Sequence, residues 1–275
     1  MKKKIRSIGY IDPSRLSDIP NQYWAHHEFC CFLYDLLEQI LHEYGQSGTH
    51  HIVIDSINKA AKENNIHLDL LESYAFLKEN NFIGEYRHHI LSNVALGLID
   101  DMVDFLFGAL SAFEKRNFSV GFNLLRKPLK EHLIFLCWLL ADSQDFINRF
   151  EADNYEKLRK AESKEFKLEI LNKAIDKLVL SDLFNEKIVW EMIYSKKNDQ
   201  SFEPFFQRAT HLVTHMGDLL KTEDYTFNFI FVDRNDNFFF DLFYINLPYL
   251  LIFATQVALS VFNRIIKIDD LTYSH

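Results

Sequence analysis

Turn-forming residues are scarce in this chain: 275 residues hold eight glycines and five prolines. An average chain of that length would carry about 19 glycines, so the shortage favours helices over a turn-rich β architecture. Cysteine is also rare, with three in all, two of them adjacent (Cys30 and Cys31), and no CxxC pair. Neither a disulfide framework nor a cysteine zinc site is expected, and a reducing, cytoplasmic setting fits. No GxGxxG and no GxxxxGK followed by Ser or Thr occurs, which excludes the phosphate-cradling loops of Rossmann and P-loop proteins. HExxH, GxSxG and a His directly followed by Asp are absent too, which removes the zincin, serine-hydrolase and metal-phosphohydrolase signatures.

Positive charge is in deficit, at a net −9. The protein as a whole therefore repels nucleic acid and anionic membrane, and binding to either needs a local basic patch. Lys2, Lys3, Lys4 and Arg6 form the one dense basic run. It reads as a solvated end, because Asp12, Arg15 and Asp18 fall where a signal peptide needs an apolar stretch. Large rings are plentiful, with 26 Phe, 12 Tyr and 3 Trp. A core built from them, in a chain of this length, requires no cofactor and no metal to close it.

The pattern along the chain predicts an all-α bundle with one short β-hairpin near the C-terminus. Residues 1–20, with Pro13 and Pro20, read as an extended N-terminal arm, and 21–275 as a single helical domain; lobes at 21–115 and 116–275 are the alternative division. Phe29, Leu33, Leu36, Leu37, Ile40 and Tyr44 recur at helical spacing over 21–44, ahead of Gly45 and Gly48. Weaker helical patterns cover 50–64 and 68–80. Stronger ones cover 84–113, 117–141 with Pro128 inside, 143–160, 164–180 and 183–195. Ser201 and Pro204 mark a helix start, and that helix is expected to reach His215. Beyond it Phe227, Phe229 and Phe231 alternate with Thr226, Asn228 and Ile230. A polar turn at Asp233–Asn237 and then Phe238, Phe239 and Phe240 follow, which predicts the hairpin. From Leu242 to Phe262 no residue is charged, a run long enough to span a bilayer. Gln256, Ser260, Asn263 and Lys267 nonetheless recur as one polar stripe, so the predicted helix over 246–267 is read as a buried core helix rather than a membrane span.

Several residues carry chemical interest. Among 12 histidines are the doublets His26-His27, His50-His51 and His88-His89. Glu85 and His88 fit the Glu-x-x-His spacing of metal-binding bundles, with Asp100, Asp101 and Asp104 as further carboxylates, but no metal is assigned. Pro128 deletes a backbone hydrogen bond and crowds the Leu124 carbonyl at a cost of about 3 kcal/mol, so the helix should bend beside Arg126, Lys127, Lys130 and His132. A basic turn paired with Glu131 or Asp142 is the plainer alternative. In the helix after Ser201, Arg208, His211 and His215 edge a stripe of Phe205, Ala209, Leu212 and Met216, with Arg208 and His215 about 20° apart.

The stretch from Phe118 to Asp142, with Arg126, Pro128, Leu129, Glu131 and Trp138, resembles the central helix of uncharacterised bacterial helical proteins allied to the HEPN superfamily. Gln207 to His215 is similar to a second helix of that group. An arginine and a histidine separated by four to six residues is the signature of its ribonucleases, and Arg126 with His132 and Arg208 with His215 qualify. The resemblance implies a metal-independent ribonuclease of the stress or phage-defence kind. In it arginine stabilises phosphate charge and histidine orients or moves a proton during attack by the RNA 2′-hydroxyl, with Arg126, His132, Arg208, His211 and His215 near the site. It also admits a non-catalytic scaffold that recruits a protein partner. The acidic balance favours the second reading. In either case a homodimer through aromatic surface near Phe238, Phe239 and Phe240 is expected, with RNA as the alternative partner and no membrane.

Overall fold

The computed structural model describes residues 7–48, 72–80, 82–151, 163–215, 221–222, 227–228 and 237–273, and the isolated positions 54, 55, 58, 61 and 62. Its helices are α1 (Trp24–Ser47), α2 (Glu72–Glu79), α3 (Ile83–Glu114), α4 (Phe118–Lys127), α5 (Leu133–Ala141), α6 (Ser143–Phe150), α7 (Lys164–Ile175), α8 (Glu186–Tyr194), α9 (Glu203–Thr210) and α10 (Phe238–Tyr273). Gly48 ends α1 in the left-handed conformation, at φ 71°, where a Cβ would be strained. α3 and α4 are joined by a sharp turn in which Arg116 takes a positive φ of 55°. The Arg116 guanidinium secures that turn, donating to the Asp18 carbonyl at 2.7 Å and lying 4.9 Å over the Phe240 ring.

One hydrophobic core runs from Leu16 to Ile265. α10 packs along α1 and also touches α3 and α5; α4 folds back on α3, α9 lies against α4, α7 covers α5, and α8 packs on α7. The stripe of Leu171, Ala174, Ile175 and Leu178 is buried, as its spacing predicts. Phe113 is the hub of the ring cluster, stacked on Phe243 at 3.5 Å between centroids, with Phe118 and Phe122 edge-on at 5.5 and 5.1 Å. Two cations close the C-terminal end of α5: Lys177 donates to the Leu140 and Ala141 carbonyls, and Arg264 to Leu140 at 2.7 Å. These carbonyls have no partner within the helix, and a cation there also opposes the helix dipole.

The predicted β-hairpin is not found. No strand occurs among the described residues, and Phe238, Phe239 and Phe240, expected as its second strand, form the first turn of α10. Phe227 and Asn228 are described and are not in a strand; Thr226 and residues 229–236, the rest of the hairpin, lie outside the described residues. The physical reason is burial. Phe240, Phe243, Tyr244, Leu247, Leu250, Leu251 and Ala254 share one inward face at helical spacing, and that burial outweighs the β preference of the Phe run. α10 therefore begins eight residues before the expected 246, with Pro248 inside it rather than in its first turn.

α10 is long and apolar enough to cross a membrane by length and composition, and 61% of its apolar window is buried in the core. Gln256 and Ser260 are half-buried and Asn263 is exposed, as the polar stripe predicts. The expected helix over 201–215 is a second correction. α9 ends at Thr210 because His211 is extended, at φ −118° and ψ 132°, so Leu212 is 65% exposed instead of continuing a core stripe.

Candidate functional site

The irregularity expected at Pro128 takes the form of a single π-helical turn over Pro128–His132. Proline has no N–H to give to Leu124, and the Leu133 N–H reaches back five residues to the Pro128 carbonyl. The Lys130 carbonyl in this turn accepts a hydrogen bond from the Tyr194 hydroxyl at 2.9 Å.

The cations around the turn go to carboxylates. Lys130 pairs with the buried Glu203 at 2.6 Å and Arg126 with Glu131 at 3.9 Å, while Lys127 pairs with Asp101. His132 is buried, with Nε2 2.8 Å from Asp101 and the Phe105 ring edge-on to it. Burial holds the His132 imidazole below its ordinary range even though Asp101 pulls the other way. The hydrogen bond from Lys127, followed by His132, holds the Asp101 carboxyl below its usual range in spite of partial burial.

α4 and α9 run antiparallel, since Lys130 meets Glu203 at one end and Thr210 donates to Asn123 at 3.3 Å at the other. Arg126 and Arg208 thus sit on neighbouring helices. His211 and His215 lie past the end of α9 and are exposed, so the helix itself does not place them beside Arg208. The 20° proximity of Arg208 and His215 required a helix that continues to 215, and it lapses with that helix. Glu85 and His88 do not gather with Asp100, Asp101 and Asp104 into a ligand set; Asp100 and Asp104 are exposed and Asp101 is ion-paired. The three phenylalanines expected to form a dimer surface are divided, with Phe238 exposed, Phe239 half-buried and Phe240 fully buried.

A different constellation lies in the core. His27, on α1, places Nε2 3.0 Å from Glu114 Oε1 and Nδ1 2.9 Å from the Tyr244 hydroxyl. Arg15, from a short 3-10 turn over Pro13–Leu16, donates to the same Glu114 oxygen through Nε at 3.0 Å and Nη2 at 2.5 Å. Cys31, one turn after His27, sits 3.7 Å from His27 Nε2 and 3.9 Å from Arg15 Nη2. Burial pushes the Cys31 thiol up to about 12. Burial alone would raise the Glu114 carboxyl, but the bonds from His27 and Arg15 prevail and hold it below the usual range. One donor atom each from His27, Cys31 and Glu114 falls within 4.8 Å of the other two; among the described residues this is the set able to hold a metal ion.

Next to this network Glu28 anchors the arm. Its carboxylate accepts from the backbone N–H groups of Ile8 at 2.6 Å and Tyr10 at 2.9 Å, and from the Ser7 hydroxyl at 3.0 Å. The His27-x-x-x-Cys31 spacing, one helical turn on one face, was visible in the sequence. Glu114 and Tyr244, 87 and 217 residues away from His27, were not.

No family model matches the chain, and no curated protein or solved structure matches it, so the resemblance to HEPN-like helices finds no support from those comparisons.

Proposed function

We propose that the protein works without catalysis, as a helical interaction module that pairs with a second copy of itself. The reading rests on apolar surface left bare between α7 and α8 and on the first turn of α8. Val179 is 88% exposed, Leu183 58% and Ile188 50%. Tyr249 of α10 ties this segment to a further exposed residue: its hydroxyl donates to the Leu183 carbonyl at 3.2 Å, its ring packs on Phe184, and Ile245, itself exposed, lies one turn before it. Exposed apolar side chains over one short segment and the helix it packs on suit a contact surface, and a twofold interface sets one such surface against itself.

The ribonuclease reading has less support. Lys127, Lys130 and Arg126 are each paired with a carboxylate, and the histidines at 211 and 215 lie outside the helix that carries Arg208, so among the described residues these cations are not left free for a phosphate. Sedimentation velocity across a concentration series tests the proposal. A wild-type dimer that becomes monomeric in a Leu183→Asp, Ile188→Asp double variant supports it; a wild-type chain that is monomeric at every concentration sinks it. Incubation with total RNA tests the competing reading. Cleavage that is lost in an Arg126→Ala, His215→Ala double variant would reinstate the nuclease.

A further inference from the structure

We propose that His27, Cys31 and Glu114 form a binding site for a zinc-type divalent cation, which the Arg15 guanidinium keeps closed. The proposal is independent of self-association. His27 and Cys31 stand one turn apart on α1 and Glu114 is the last residue of α3, so two rigid helices present the donors. Metal–nitrogen, metal–oxygen and metal–sulfur bonds of about 2.0–2.3 Å in tetrahedral array place neighbouring donors about 3.4–3.6 Å apart. The observed separations are 3.0 Å from His27 Nε2 to Glu114 Oε1 and 3.7 Å from His27 Nε2 to Cys31 Sγ. The Cys31 and Glu114 donor atoms lie within 4.8 Å of each other, so closing the site takes side-chain movement of about an ångström.

The surroundings suit an ion. Metal-bound histidines bond through their second nitrogen to an outer group that orients the ring, and His27 Nδ1 has Tyr244 in that place. Charge balance points the same way. A thiolate, a carboxylate and a neutral imidazole sum to −2, which matches a divalent cation, whereas Arg15 neutralises the carboxylate alone and leaves the thiol protonated. With Arg15 and His27 both bonded to Glu114, the thiol has no strong partner: it makes only sulfur contacts of 3.7 and 3.9 Å.

Arg15 is also the member of the cluster able to leave. Its side chain is 38% exposed, whereas that of His27 is fully buried. When it swings outward the fourth coordination position opens to water. Binding takes one proton off the Cys31 thiol, which passes to solvent as the metal–sulfur bond forms.

Cobalt(II) titration of the full chain, after removal of metals by chelator and dialysis, tests the site. Wild-type protein should give a thiolate-to-cobalt charge-transfer band with tetrahedral d–d bands at one equivalent, bleached by zinc, with one proton released per ion. Arg15→Ala should tighten binding about tenfold or more, because the closed arrangement withholds the site in most molecules. Cys31→Ser should lose the charge-transfer band with the helical circular dichroism retained. If Arg15→Ala does not fold, Arg15→Gln keeps the bulk of the side chain without its charge and is read in the same way. A folded Arg15 variant with no thiolate-to-cobalt band overturns the proposal. So does a band that survives in Cys31→Ser, which would trace to Cys30 or Cys137.

Discussion

Gly121 offers a sharp test of the packing between α3 and α4. A Cβ built there would lie 2.5 Å from both Cδ2 and Cε2 of Phe113. Real Cβ atoms do not approach that closely, so the ring must move by about an ångström to reach ordinary contact. It has little room: Phe113 is fully buried, with Phe243 stacked at 3.5 Å and Phe118 and Phe122 against its edges. Two effects of opposite sign compete in Gly121→Ala. Alanine gains about 1 kcal/mol over glycine inside a helix, and overpacking a closed core costs about 1–3 kcal/mol or more. Because the obstructing atoms belong to a ring wedged between other rings, the upper end of that cost applies, and a net loss of about 2 kcal/mol is expected. Gly97→Ala in α3 is the control. Nothing lies within 4 Å of its Cβ and the site is exposed, so the helix gain of about 1 kcal/mol should stand alone. Urea denaturation followed by circular dichroism should show the midpoint falling for Gly121→Ala and rising for Gly97→Ala, with thermal midpoints moving by about 2 °C per kcal/mol. A Gly121→Ala protein as stable as wild type would refute the arrangement of Phe113 between α3, α4 and α10.

Glu28→Gln should loosen the arm: three bonds to a charged acceptor become bonds to an amide at a cost of about 1–3 kcal/mol, and hydrogen exchange at the Ile8 and Tyr10 amides should speed up while that of α3 is unchanged. Asn246→Ala should cost about 1–3 kcal/mol in chemical denaturation, because its buried amide donates to the Gln200 and Leu242 carbonyls and leaves both without that partner. His132 supplies a pH dependence. Its folded value is depressed from 6.5, so between that value and the depressed one the unfolded chain binds more protons, and stability is full above pH 6.5 and lost as pH falls below it. Stability measured at about pH 7 and about pH 5 should therefore drop toward acid in wild type and drop less in His132→Gln; an equal drop in both would show that His132 does not contribute.

How much of this could be read from the sequence varies with the range of the interactions involved. α3 was legible almost to the residue, over 84–113 against Ile83–Glu114, because its apolar periodicity is long and a turn follows at once. The stripe of α7 and the disruption at Pro128 are equally local, since each follows from side-chain spacing or from the chemistry of one residue. The start of α10 was misread because Phe238–Phe240 satisfies a strand pattern over a few residues. Only the continuation through Phe243, Tyr244 and Leu247 reveals the helical period, and Pro248 resembles a helix start while lying inside α10. The expected placing of His215 beside Arg208 lapses for a related reason. A helical projection of Arg208 and His215 holds only while the helix lasts, and α9 stops at Thr210.

The network in the core is of another kind. Its members stand at positions 15, 27, 31, 114 and 244, and only the i, i+4 pair of His27 and Cys31 is local. Glu114 is a buried carboxylate whose desolvation is offset by Arg15 and His27 together. Removing either cationic or donating partner leaves the carboxylate underbonded, so the arm, α1 and α3 are fastened to one another at a single oxygen atom, and α10 joins them through Tyr244 on the other nitrogen of His27. A requirement of that kind constrains side-chain chemistry at widely separated positions without constraining the residues between them. It therefore leaves no mark on hydrophobic periodicity, the property from which the helices themselves were read.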